Sequence, residues 1–390
     1  MKFRFLTAGE SHGKCLTAII EGVPAGFSIS VDRINTHLTR RQQGYGRGGR
    51  MKIENDKVII NSGVRHGVTT GAPVALVIEN RDWENWKVPM SVDPVDMENP
   101  EVRKLVEEKK ITHVRPGHAD LAGAVKYNHK DIRDVLERSS ARETAIRVAV
   151  GAFAGQILKE FGVEIFSHVV RIGSVKVDRE NLPEDYSLIR EKAENSDLRC
   201  ADDETYEKMK AVIDRAKEEG DTLGGIYEVI ALNLPVGLGS FVHWDRRLDG
   251  RIAQVMMSIP AIKSVGIGAA EEVGELPGSE MHDEIYPDKT GHYLRKSNNA
   301  GGIEGGMTNG MPVVVRAAMK AIPTLKKPLS SVDIETGKEH IAHYERSDVC
   351  AVAAASVVGE AMVAIALVDA FLEKFGGDSL EEIRRNFAGR

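Results

Sequence analysis

Two histidines in this 390-residue chain sit where proton transfer is sterically easy. His12 lies in Thr7-Ala8-Gly9-Glu10-Ser11-His12-Gly13, directly behind a short strand pattern and flanked by a small hydroxyl and glycine. Imidazole chemistry near neutrality suits general acid–base work there, although an exposed loop histidine would leave the same trace. His118 lies in Ile111-Thr112-His113-Val114-Arg115-Pro116-Gly117-His118-Ala119-Asp120. The Pro-Gly turn presents it at a helix start beside Arg115, a setting that favours a bound anion; a capping histidine is the plain alternative. Metal ligation by His113, His118 and Asp120 has no companion site at a known spacing, and no metal is expected.

Cationic side chains gather as sharply. Between Asp32 and Glu54 there is no acidic residue, yet Arg33, Arg40, Arg41, Arg47, Arg50 and Lys52 all fall there. Arginine forks on the glycine-rich loop Gly44-Tyr45-Gly46-Arg47-Gly48-Gly49-Arg50 suit a bidentate grip on phosphate or carboxylate. The glycines also satisfy G-x-G-x-x-G, but an Arg-ended helix pattern precedes them in place of a strand, which argues against a dinucleotide fingerprint. A solvated basic loop is one alternative. An RNA-binding loop is another, disfavoured because aromatics for base stacking make up only 5% of the chain.

Three further segments carry chemistry-bearing types. Glu137-Arg138-Ser139-Ser140-Ala141-Arg142-Glu143-Thr144 sits between two helix patterns, where hydroxyls, arginines and helix-end N–H groups make a phosphate cradle or merely caps. Residues 298–310 contain five glycines, a backbone bare enough for a flat ligand to approach, or a pair of tight hairpins. Arg346-Ser347-Asp348-Val349-Cys350 places an aspartate before an apolar C-terminal segment, as an N-cap or as a base.

The elements that must position these residues are scattered. Strand patterns occur at residues 3–5, 58–60, 74–78, 163–177, 226–234 and 313–315, and helical patterns at 119–137, 144–161, 203–219, 245–259 and 351–375. The helices at 144–161 and 351–375 are apolar on nearly every face, so a helical layer covered by other layers is expected. Strands come in groups rather than alternating with helices, which points to an α+β class. No linker, repeat or low-complexity tract marks a boundary, so one domain spanning residues 1–390 is expected, with a polar, mobile insertion near 271–297.

Composition narrows the functional classes. Fifty-two basic and 58 acidic residues leave a formal charge of −6, a poor basis for general polyanion binding, so no nucleic-acid partner is expected. The three cysteines are far apart and form no C-x-x-C, which indicates neither a disulfide framework nor a zinc knuckle. The long apolar stretch at 351–375 carries Glu360, Asp369, Glu373 and Lys374, as a buried helix does and a membrane span does not. A cytoplasmic protein follows. Glycine is about 10% of the chain, 38 residues, where ~7% is usual, so some backbone must turn tightly or approach a ligand.

In order along the chain, Gly9-Glu10-Ser11-His12-Gly13, Gly44-Tyr45-Gly46-Arg47-Gly48, Arg115-Pro116-Gly117-His118-Ala119-Asp120, Ser140-Ala141-Arg142-Glu143-Thr144 and Gly301-Gly302-Ile303-Glu304-Gly305-Gly306 resemble the motifs of the chorismate synthase family. The resemblance runs from Met1 to the C-terminal helix. It implies a carbon–oxygen lyase that converts 5-enolpyruvylshikimate 3-phosphate to chorismate by anti-1,4-elimination of phosphate and a C6 hydrogen. Reduced FMN is required although the net reaction is redox-neutral. The implied fold is a β-α-β sandwich, helices between two antiparallel sheets, assembled as a homotetramer.

The resemblance also assigns roles. His118 matches the histidine that protonates the leaving phosphate, and His12 the one that protonates the reduced flavin. Asp348, with Ser11, matches the pair that manages the flavin N5 proton. Flavin contacts fall on Arg138, Ser139, Ser140, Pro260, Ala261, Gly305, Lys320, Ala321, Ile322, Pro323, Thr324 and Arg346. Substrate or NADPH contacts fall on Arg41 and Arg47, and the substrate's phosphate and two carboxylates call also for Arg50, Arg115, Arg142 and Arg346. Two family prolines are replaced, by Ala321 and Ala353, which relaxes the backbone without removing a reacting group. The resemblance leaves open whether NADPH or an external flavin reductase supplies the electrons. A flavin oxidoreductase that consumes NADPH stoichiometrically is the competing enzyme class.

Overall fold

In the computed structural model, which describes residues 3–48, 56–289, 293–327, 329–345 and 347–389, two antiparallel sheets enclose a layer of helices. The first sheet contains β1 (Arg4–Ala8), β2 (Cys15–Glu21), β3 (Val58–Ser62) and β4 (Val74–Glu79), in the order β1-β2-β4-β3. The second contains β5 (Glu164–Ile172), β6 (Val175–Lys176), β7 (Gly225–Leu232), β8 (Ile262–Ile267) and β9 (Val313–Met319), in the order β8-β9-β7-β5-β6. The helices between them are α1 (Val31–Gln42), α4 (Thr144–Lys159), α6 (Leu248–Met257) and α7 (Val352–Phe375), and α7 packs on α4, α6, β5 and β7. Outside this layer lie α2 (Asp120–Tyr127), α3 (Arg133–Ser139), α5 (Asp203–Glu218) and α8 (Leu380–Ala388).

The apolar patterning of α4 and α7 is explained by where they lie. Every residue of α7 except Asp369, Glu373 and Lys374 is buried, because the helix has other elements on all sides. By length and composition it is also apolar enough to cross a membrane, yet 89% of its most apolar window is buried in the core. Its closest neighbour is α4: a Cβ added at Gly151 would lie 2.3 Å from Ala361 Cα, so the two backbones touch where only glycine fits. Glu360 is the buried charge in this contact. Arg40 grips it with both terminal nitrogens, at 2.7 and 2.9 Å, and Arg199 and Ser167 add bonds at 3.0 and 2.6 Å. Burial opposes its ionisation, but Arg40 and Arg199 outweigh that and hold its carboxyl down at about 2.

The α+β class and the sandwich are as the sequence and the resemblance led us to expect, and the differences are local. The single helix expected at 119–137 is two, because Asn128 turns left-handed (φ 57°) to end α2 before α3 begins. Strands β2 and β8 and helix α8 are not apparent from the sequence patterns. The glycine cluster forms the tight-hairpin alternative, Ile303–Glu304 paired with Met307–Thr308 across Gly305 and Gly306. The expected insertion holds a short helix (Gly278–Met281) and a two-stranded ribbon, Ile285–Pro287 with Tyr293–Arg295.

Candidate active site

A cleft of about 600 Å³ opens where the end of α1, the loop after β1, the α3–α4 junction, the end of β9 and the start of α7 converge. It is lined by Ser11, His12, Arg41, Arg47, Arg115, His118, Arg138, Ser139, Ser140, Arg142, Pro260, Ala261, Lys320, Ile322, Pro323, Thr324 and Asp348, residues up to 337 positions apart. Ala321 is exposed and is not among the lining residues. Gly305 also lies elsewhere, on its hairpin, where an added Cβ would come within 4.0 Å of Phe241 Cβ. Arg50 and Arg346 fall outside the described residues.

Each histidine is held by a buried carboxylate that is itself held by an arginine. His12 Nδ1 lies 2.8 Å from Glu137 Oε1, and the His12 backbone N–H donates to Glu137 Oε2 at 2.7 Å. Arg133, one turn back on α3, donates to the same carboxylate at 2.8 Å. The imidazole stacks on Trp86 with centroids 3.9 Å apart. His118 repeats the scheme: its Nδ1 is 2.5 Å from Asp120 Oδ1, while Arg115 donates from Nε and Nη2 to the two Asp120 oxygens at 2.8 and 3.0 Å. In both, the engaged Nδ1 leaves Nε2 as the nitrogen available to a ligand.

Burial opposes ionisation of both carboxylates, and partner bonds outweigh it. Hydrogen bonds from His118 and then Arg115 hold Asp120 well below the usual carboxylate range. Those from His12, with the Arg133 charge, lower Glu137. Each carboxylate therefore stays anionic and keeps its imidazole oriented.

The arginines are pre-set by the protein. Arg41 donates to Thr144 Oγ1 at 3.0 Å and to the Ala141 carbonyl at 2.9 Å; Arg142 pairs with Asp56; Arg47 Nη1 lies 3.0 Å from Asp348 Oδ2. Asp348 also accepts from the Gly48 N–H at 2.6 Å, tying the glycine loop to the residues before α7. Arg138 spends its guanidinium on the carbonyls of Thr7 and Gly9, at 3.0 Å each, and so clamps the His12 loop. Among the described residues, seven Arg and Lys side chains line the cleft against three carboxylates, Glu143, Glu345 and Asp348. That excess suits a small polyanion.

Part of the lining is apolar: Ala351, Ala354, Ala355 and Val358 at the α7 start, with Ile259, Pro260, Met319, Ile322 and Pro323. A flat aromatic ring with a phosphate tail fits this combination of alanine floor and cationic rim. Ala353 lies in the first turn of α7, where a backbone N–H has no intrahelical acceptor, so the missing proline removes nothing from the helix. Sequence reasoning assigns Glu137 no role and considers Asp120 only as a metal ligand, and Trp86 lies outside every motif. Only the fold brings Trp86 to His12.

The sequence model of the family described as chorismate synthase matches residues 3–372. The chain is 56% identical over 393 residues to the chorismate synthase of Geobacter sulfurreducens, covering 99% of this chain and 98% of that one. It is 57% identical over 390 residues to that of Aquifex aeolicus, covering 98% and 96%. Its fold is similar to a crystal structure of chorismate synthase with a TM-score of 0.79 at 47% identity, covering 100% of this chain and 97% of that one.

Proposed function

Because this chain belongs to the chorismate synthase family, and so eliminates phosphate from 5-enolpyruvylshikimate 3-phosphate to give chorismate, we propose that the cationic cleft is its active site, with His12 and His118 moving the protons. This is the last common step of the shikimate pathway to the aromatic amino acids. The observation that supports the assignment is the paired arrangement of two carboxylate-held histidines on one arginine-lined cleft.

Arg41, Arg47, Arg115 and Arg142 bind the substrate's phosphate and carboxylates, and Arg50 and Arg346 join them. The guanidinium groups of Arg41, Arg47, Arg115 and Arg142 are already fixed by internal partners, so little ordering cost remains when the anion arrives. His118 delivers a proton from Nε2 to the departing phosphate, and Asp120 stabilises the imidazolium that carries it. His12 would hold the proton for the reduced flavin. Asp348, between Arg47 and the Gly48 N–H, would with Ser11 manage the proton of flavin N5.

The family uses reduced FMN, and the alanine floor with Arg138, Ser139, Ser140, Pro260, Ala261, Lys320, Ile322, Pro323 and Thr324 is where we place it, without Ala321 and Gly305, which do not line the cleft. When bound, it supplies reducing equivalents that are returned within the same turnover. NADPH or an external flavin reductase provides them at the outset. A single domain is supported by one continuous core cluster that runs from Phe3 to Ile383. A homotetramer is supported by the apolar pair Leu6 and Ile19, which meet across strands on the outer face of the first sheet and stay exposed. Free cysteines at 15, 200 and 350 accord with the cytoplasm.

The test is anaerobic incubation with 5-enolpyruvylshikimate 3-phosphate and chemically reduced FMN, following phosphate and chorismate. His118→Ala should lower turnover about 10²-fold or more; a near wild-type rate would remove His118 from the mechanism. Net consumption of NADPH in proportion to product would favour the oxidoreductase instead.

A further inference from the structure

The two histidines are the ends of one chain of alternating charge. From His12 the chain runs through Glu137 to Arg133, and from His118 through Asp120 to Arg115. Glu345 closes the gap: its Oε1 lies 3.9 Å from Arg133 Nη2 and its Oε2 3.8 Å from Arg115 Nη1. The order is histidine, carboxylate, arginine, Glu345, arginine, carboxylate, histidine. Of the three carboxylates that line the cleft among the described residues, Glu345 is the one that the ion pairs join to both arms.

We propose that Glu345 is a positioning residue that holds both arms at once and lets His12 and His118 carry protons together. The proposal rests on the reading of those histidines as the proton carriers. Without a shared anion, two imidazolium groups beside Arg115 and Arg133 would repel one another in a confined, partly buried space. A carboxylate between the two arginines offsets that repulsion at both ends.

The surrounding charges are consistent with this. Glu345 faces Arg115, Arg133 and His343, whose Nε2 is 3.6 Å away. The His343 contact, against the cost of burial and with the two arginines, holds its carboxyl down at about 2, so it is anionic at neutral pH. On the His12 side Lys109 stands 4.6 Å over the Trp86 ring, and Arg138 clamps the loop. On the His118 side Lys320 caps the Gly117 carbonyl. Across the cleft lie Arg41, Arg47 and Arg142 with Asp56 and Asp348. Cations outnumber carboxylates among the groups that line the cleft, so a lost carboxylate is felt by both imidazoles.

The test is the histidine NMR titration of full-length protein labelled at histidine, without substrate, assigned with His12→Gln and His118→Gln. In Glu345→Gln both titrations should move to lower pH by about half a unit or more, since removing a nearby negative charge disfavours the imidazolium. Glu345→Asp should recover part of the shift, and Glu345→Ala should reproduce the full one if the glutamine variant does not fold. Titrations that overlay the wild type, or a shift in only one histidine, would overturn the proposal. The kcat/KM pH profile is read beside it. If both NMR titrations shift and the profile does not, Glu345 keeps its role and the histidines lose theirs as proton carriers.

Discussion

Asp120 is the most constrained residue of the site. It is fully buried and accepts from the Arg115 backbone and fork while holding His118 Nδ1. Asp120→Asn removes the charge and one of the acceptor oxygens those donors share. We expect kcat/KM to fall about 10²-fold or more through misorientation of His118. Stability should fall by about 3 kcal/mol, because breaking a buried pair strands the other charge. Steady-state kinetics with thermal unfolding check both, and a variant that loses stability but keeps its rate would separate Asp120 from the chemistry. Residue types told much here: the histidines, the arginines and Asp348 were visible from their neighbours in sequence. Their partners were not, since Glu137 reads as an ordinary helix carboxylate until His12 is found 2.8 Å away.

At the scale of elements, the contact between α4 and α7 sets where the cleft can be, because α7 begins on its floor and α4 begins at its arginine-bearing rim. Two glycines in α4 make opposite predictions. A Cβ at Gly151 would meet Ala361 backbone at 2.3 Å, whereas one at Gly155 has no atom within 4 Å. Gly151→Ala should destabilise by about 2 kcal/mol or more, since backbone cannot step aside. Gly155→Ala should stabilise by about 0.5–1 kcal/mol through helix propensity alone. Denaturant melts of the pair check the contact; equal effects would mean the helices do not meet as described. The apolar sequence of both helices announced their burial. It did not reveal which glycine touches a neighbour, because composition is blind to crossing point. Asn128 shows the same limit: the apolar pattern on either side reads as one helix, and a single left-handed residue makes it two.

For the whole molecule, the contrast of charge is the telling feature. The chain carries −6 overall, yet its cleft is strongly cationic, so the field that draws in a small polyanion is local and focused. Raising monovalent salt from ~0.02 to ~0.5 M should increase KM for 5-enolpyruvylshikimate 3-phosphate several-fold while kcat changes little, as screening weakens association more than chemistry inside the cleft. A KM independent of salt would argue against electrostatic capture by this cleft.

What the sequence determined by itself was chemistry and class: histidines beside glycine turns, an acid-free run of basic residues, and two helices apolar on nearly every face. These are local properties, set by neighbours along the chain. The tertiary structure decided which of them work together. It took Glu137 to His12, stacked Trp86 on the same ring, left the Gly305 hairpin away from the cleft, and set Glu345 between two arginines 18 positions apart. Such pairings arise from the packing of sheets and helices around α7, and hydrogen bonds across 125 residues of chain leave no periodicity to read.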